Sequence, residues 1–131
     1  MAICSQAEIQ MLEKAFGAPL PGEYKRLLLG EYPQVEEHMV GSDFDMRYLP
    51  DLKGSAANLL DECGDPFVLG EKDFVFIMHQ GYTFLYTSCN GSDDPPVYSY
   101  LEDNPAPRRE FDHFSEWIAL CRREIEQGQF T

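Results

Sequence analysis

The chain has 131 residues, 44% of them hydrophobic, and a formal net charge of −13 from 23 acids against ten lysines and arginines. This length suits one domain that buries roughly two-thirds of its unfolded surface without disulfide or metal staples. The hydrophobic content excludes a wholly disordered chain, and the charge argues against nucleic acid or an anionic membrane as a partner.

The charge is uneven. Residues 1–26 balance to zero and residues 104–131 carry −1, so residues 27–103 hold −12, with fifteen acids against Arg47, Lys53 and Lys72. Such a field attracts a basic protein and speeds the encounter, although an acidic surface also serves solubility alone. Cys4, Cys63, Cys89 and Cys121 are far apart, with no C-x-x-C, and read as reduced thiols rather than a disulfide framework or zinc site. The N-terminus has no basic region followed by an apolar run, and no apolar stretch reaches the ~18–20 residues of a membrane span. A cytoplasmic location is expected, and Asn90-Gly91-Ser92 then reads as a turn rather than a glycosylation site.

The first predicted helix covers residues 5–16. Ser5 and Glu8 have capping-box spacing, Ile9, Leu12 and Phe16 share a face, and Gly17 suits the position after the last turn. Pro21 is expected in the first turn of a second helix, where its missing N–H costs nothing. Tyr24, Leu27 and Leu28 form that helix's apolar stripe and Gly30 ends it. Residues 31–52 read as irregular, with Tyr48-Leu49 as a short edge strand. Residues 55–62 follow as a brief helix, then a turn at Gly64-Asp65-Pro66, then a strand at Phe67-Val68-Leu69 closed by Gly70.

Residues 73–88, DFVFIMHQGYTFLYTS, are the centre of the chain. Two β-branched and aromatic runs flank Gln80-Gly81, which predicts a hairpin with a two-residue turn. That turn sets His79 opposite Tyr82, Ile77 opposite Phe84 and Val75 opposite Tyr86. Neither resulting face is polar, so both are covered or one carries an exposed aromatic patch. A turn-rich loop over residues 89–96 leads to a third strand at residues 97–101, and residues 102–109 read as a proline-rich loop. The last helix starts from Asp112 as N-cap. Phe114, Trp117, Ile118, Cys121 and Ile125 lie on its apolar stripe, and Gly128 ends it. Helices, then strands, then a helix, without βαβ alternation, predict an α+β fold with a mostly antiparallel sheet.

Catalytic signals are weak. Asp43-x-Asp45 is too short a pattern to indicate a metal site. His79 and Tyr82 share a face as a conceivable acid–base pair, but no carboxylate or nucleophile motif accompanies them, and a structural pair fits better. His38 and His113 lack ligand spacing, and there is no phosphate-binding glycine loop. No cofactor or metal is expected. Asp61, Glu62, Asp65, Asp93, Asp94, Glu102 and Asp103 all lie in or beside predicted turns. With Tyr82 they form a candidate partner-binding rim, against the alternative of plain solvation.

The segment LEKAFGAPLPGEYKRLLL, residues 12–29, resembles the N-terminal signature of the SUKH superfamily, the Smi/Knr-type domain, through Gly17, Leu20, Pro21, Glu23, Tyr24 and Leu28. FVFIMHQGYTF at residues 74–84, Asp94-Pro95-Pro96-Val97-Tyr98 with Tyr100, and Phe111, Phe114 and Trp117 are similar to bacterial members, and the pieces occur in family order. The Asn-Gly-Gly common after the second helix is replaced by Gly30-Glu31-Tyr32-Pro33. The resemblance implies one domain over residues 1–131, with helices against one face of a mixed sheet and neither enzymatic activity nor a cofactor. It also implies the role of a bacterial immunity protein, which binds a cognate toxin, often a nuclease. The expected assembly is a monomer or weak homodimer. A regulatory scaffold domain binding another cytosolic protein is the alternative.

Overall fold

A computed structural model describes residues 2–102, 104 and 106–128. Five helices and four strands follow in the order α1 (Gln6–Phe16), α2 (Gly22–Leu28), α3 (Pro33–His38), α4 (Leu49–Glu62), β1 (Asp73–His79), β2 (Thr83–Ser88), β3 (Val97–Leu101), β4 (Arg108–Phe111) and α5 (Phe114–Glu126). The fold is α+β. The strands form one sheet in sequence order, antiparallel throughout, where the resemblance implies a mixed sheet. Each strand reaches its neighbour through a connection too short for a parallel crossover.

Both ends of α1 behave as its sequence predicts. Ser5 Oγ accepts from the Glu8 N–H at 3.1 Å, Glu8 Oε1 accepts from the Ser5 N–H at 2.9 Å, and Gly17 closes the helix at φ 89°. Pro21 stands just outside α2, as its N-cap. Glu13 joins the two helices, accepting from the Leu20 N–H at 2.7 Å and facing Lys25 at 3.5 Å.

The 31–52 region departs most from expectation. Pro33 opens the six-residue α3. Tyr48-Leu49 is not a strand: Leu49 begins α4, which runs on through Pro50, Gly54 and Ser55. These poor helix formers mask its first two turns. Burial of Leu49, Leu52, Ala56, Leu59 and Leu60 along one face overrides local preference. Phe67-Val68-Leu69 joins no sheet.

The hairpin forms with a shifted tip. Val75 pairs with Tyr86 as expected, but His79 pairs with Thr83 and Ile77 with Leu85, and a bulge at Phe76 restores register. Gln80 and Gly81 take positive φ, 49° and 77°, which leaves Tyr82 outside the ladder. Phe74 and Phe76, two residues apart on β1, both face α2. Tyr24 lies 5.6 Å from each of their rings, and Phe76 lies 5.1 Å from both Phe114 and Trp117. Phe16 meets Phe74 at 5.0 Å. The expected helices α1, α2 and α5 thus gather on one face.

The other face is covered too. Phe84, Tyr86 and Tyr100 are buried beneath α4, which packs on β1, and Phe67, 6.2 Å from Tyr86. The acidic middle segment supplies this cover, so no aromatic face is left open. The edge of β1 is closed by Asp43, whose N–H and C=O bond Met78 at 2.8 and 3.0 Å. A fourth strand, β4, ends the supposed 102–109 loop. Its RRE sequence hides it, since charged residues are typical of protected edges. His113, not Asp112, caps α5, its N–H donating to Glu116 Oε1 at 2.9 Å.

All four cysteines are free. Burial pushes the Cys4 and Cys89 thiols up to about 11 and Cys121 up to about 12, so they remain unreactive thiols at neutral pH.

Candidate functional site

The eight candidate residues divide between the two ends of the sheet. The β2–β3 loop at one end holds Asp93 and Asp94; Asp94 is engaged through its side chain and carbonyl, Asp93 through its carbonyl while its side chain is exposed. Asp94 Oδ1 accepts from the Ser115 N–H at 2.7 Å and its Oδ2 from the Ser115 hydroxyl at 2.6 Å, while its carbonyl accepts from His113 Nδ1 at 3.0 Å. A side chain 21 residues away therefore satisfies the open N-terminus of α5. That carbonyl also raises the His113 pKa above its ordinary 6.5. The Asp93 carbonyl accepts from the Glu23 N–H at 2.9 Å, serving α2, whose N-cap Pro21 has no side-chain acceptor. Gly22 allows this approach, since a Cβ there would lie 2.8 Å from Asp93 Oδ1.

The opposite end carries the hairpin tip, the β3–β4 loop and the end of α4. Tyr82 is exposed, with its ring edge-on to His79 at 5.6 Å, and its carbonyl accepts from the Glu102 N–H at 2.8 Å. His79 Nδ1 lies 2.8 Å from Ser42 Oγ, and no carboxylate among the described residues bonds its other nitrogen. Asp65 Oδ1 accepts from the Phe67 N–H at 2.9 Å and Oδ2 from the Ala106 N–H at 2.8 Å, which ties the exit of α4 to the β3–β4 loop. Asp61 and Glu62 are exposed at the end of α4. Tyr82, Glu102, Asp65, Asp61 and Glu62 therefore share this end, and Asp103 lies outside the described residues.

Two grooves flank the β3–β4 loop. One, about 580 Å³, has Thr83, Leu85, Ser99 and Leu101 as its floor, with walls from β4 and from Trp117 and Leu120 of α5. Glu110 anchors β4 there, accepting from Ser99 Oγ at 2.7 Å and Arg108 Nε at 2.9 Å. The Ser99 hydrogen bond, ahead of Arg108, holds its pKa below 4.5. The other, about 290 Å³, lies between α4 and residues 65–69, with Asp61 and Asp65 at its rim. Of the exposed large hydrophobics, Val68, Tyr82 and Leu101 belong to this end. Sequence reasoning had treated Val68 as part of a strand, so its exposure was missed. A third cavity, about 270 Å³, lies between α1 and α4 beside Phe74. Lys53 at its rim is held by the Gly70 carbonyl at 2.6 Å and the Phe16 ring at 5.1 Å.

Asp43 bridges to Met78 through its backbone, and Asp45 Oδ1 accepts from the Arg47 N–H at 3.1 Å. No group of three or more His, Cys, Asp or Glu among the described residues is placed to hold a metal ion. No helix among them is long and apolar enough to cross a membrane.

No individual curated protein matches the chain. The family pattern of SMI1 / KNR4 (SUKH-1) matches residues 3–120. Its span takes in the helix pair, the whole sheet and the opening of α5, including the 93–94 clasp that joins two of the resembling segments. The chain belongs to the SMI1 / KNR4 family (SUKH-1).

Proposed function

We propose that this protein is a non-enzymatic, cytoplasmic protein-binding domain of the immunity type, which neutralises a cognate basic toxin, such as a nuclease, by occluding its working surface. The observation that carries this reading is the charge on a domain of this family: fifteen acids against three bases in residues 27–103. A surface of that sign mimics the phosphate field that a nuclease is built to meet, and it accelerates association with a basic partner. Asp61, Glu62, Asp65, Tyr82 and Glu102 share one end of the sheet, and that end, with its grooves and the exposed Val68, Tyr82 and Leu101, supports the reading better than the loop whose Asp94 side chain serves α5. Asp93 and Asp94 fit a positioning role.

The test is co-expression with the toxin-like product encoded beside this gene, reading host survival, followed by affinity measurements across salt. Survival is expected, with affinity falling roughly tenfold or more between low and high salt, as exposed charge pairs are screened. Salt-independent binding would remove the electrostatic mechanism. Death of the co-expressing host, with capture of a housekeeping protein instead, would replace this reading with that of a regulatory scaffold.

A further inference from the structure

Phe67-Val68-Leu69, between Pro66 and Gly70, has the composition of a strand, yet it belongs to no sheet. It is nonetheless held at both ends. The Asp65 N–H donates to the Leu60 carbonyl at 2.9 Å and the Phe67 N–H to Asp65 Oδ1 at 2.9 Å. At the other end, the Gly70 N–H donates to Asp73 Oδ2 at 2.7 Å, and the Gly70 carbonyl accepts from Lys53. Between these anchors, the N–H and C=O groups of Val68 and Leu69 bond no described residue. Burial alternates from half-buried Phe67 to exposed Val68 to half-buried Leu69, and residues 65–70 lie in no helix, turn or bend, as an extended stretch with one covered side does. Val68 is 82% exposed. An anchored, extended segment with unpaired peptide groups is an open strand edge, the feature that proteins otherwise blunt with charge or cover. Here the edge carries valine and leucine.

We propose that residues 66–70 form a docking strand, on which an extended segment of a basic partner protein adds by backbone pairing. This rests on the protein-binding reading above. Backbone pairing answers the open N–H and C=O groups of whichever of Val68 and Leu69 faces the added strand. The groove of about 290 Å³ beside it, lined by Ala57, Leu60, Phe67 and Leu69 together with Lys53, whose ammonium is held by the Gly70 carbonyl, receives one apolar side chain. Asp61 at its rim and the adjacent exposed Glu62 face the cations that flank that side chain in the partner. The charge of the surrounding segment selects a basic strand over an acidic one.

The probe is a soluble ten-residue peptide alternating valine with lysine and arginine, and the readout is amide hydrogen exchange by NMR on the intact chain. Peptide binding is expected to slow exchange at Val68 or Leu69 by about tenfold or more, as pairing does to an exposed amide. Adjacent N–H groups of an extended chain point to opposite edges, so one of Val68→Pro and Leu69→Pro deletes the paired donor and weakens binding about tenfold, while the other does not. Unchanged exchange in the β1–β2 ladder verifies that each variant is folded. Asp61→Lys with Glu62→Lys is expected to weaken the peptide further, and an acidic counterpart peptide is expected not to bind. Absent binding, protection appearing at the β4 edge instead, or protection arising without peptide in a particle of doubled mass overturns the proposal. A proline pair that neutralises the toxin like wild type overturns this inference and leaves the proposed function standing. Failure of the wild-type chain to neutralise, with peptide pairing intact, does the reverse.

Discussion

Two loops of this molecule look alike in composition and differ in what they have left to offer. Residues 89–96 and 63–72 are both acidic, turn-rich and punctuated by proline and glycine. In the first, the Asp94 carboxylate is absorbed at the start of α5 and the Asp93 carbonyl serves α2, while the Asp93 side chain faces solvent. In the second, Asp65 is absorbed, but the peptide groups of Val68 and Leu69 stay open, and Asp61 and Glu62, just before the loop in the last turn of α4, face solvent. The difference arises because helix N-termini carry unsatisfied N–H groups and positive potential. An acid that the fold delivers to such an end becomes architecture, as Asp65 does where loop N–H groups reach it, whereas the side chains of Asp61 and Glu62 in the last turn of α4 bond no described residue.

The comparison can be broken at its closed side first. Asp94→Ala removes both bonds to Ser115 and is expected to cost about 2 kcal/mol, the upper range for a lost N-cap, measured by urea unfolding. A loss below about 0.5 kcal/mol would mean that the clasp is dispensable and the loops are equivalent. Next is Tyr24, buried at the centre of that side with no hydrogen-bond partner for its hydroxyl among the described residues. Tyr24→Phe relieves an uncompensated polar group and is expected to raise stability by about 1 kcal/mol.

The open end makes smaller demands. Its strand anchor, Glu110, has a depressed folded pKa. Its contribution is therefore complete above the ordinary 4.5 and is lost as pH falls through the lower folded value. Ser99→Ala removes the main cause of the depression, and the gap between variant and wild-type stability should narrow as the solution is acidified below pH 4.5. Being half exposed to solvent screening, the effect is expected to stay below about 1 kcal/mol. The smallest effect is Val68→Ser, which should leave stability within about 0.5 kcal/mol while weakening the peptide. A large destabilisation there would show that Val68 supports the core and that the open end is as closed as the other.

Much of the architecture was legible from local rules. The capping box at Ser5, the Gly17 stop, the apolar stripes of α2 and α5, and strand β3 follow from patterns spanning a few residues. The misreadings share a cause. In α4, Pro50, Gly54 and Ser55 depress helical propensity, and only burial against the sheet holds the first turns. In β4, the charged RRE segment has no apolar alternation because an edge strand needs none. At the hairpin, Gln80-Gly81 does take the positive φ of a tight turn, but Tyr82 leaves the ladder and a bulge at Phe76 shifts the pairing of Ile77 and His79 by one residue. Of the candidate rim, the acids and Tyr82 were visible as residues, while their separation into two ends was not, because strand topology alone decides which turns meet.

By itself, the sequence determined the class of this protein: one acidic α+β domain centred on the 73–88 hairpin, with the residue pattern of its family, because hydrophobic periodicity, caps and charge are written locally. Only the tertiary structure decided that Phe67-Val68-Leu69, a strand by composition, stands beside the sheet rather than in it. Pairing is a property of two segments, and the anchors at Asp65, Lys53 and Asp73 hold this one where no second segment of the described chain can reach its open backbone groups.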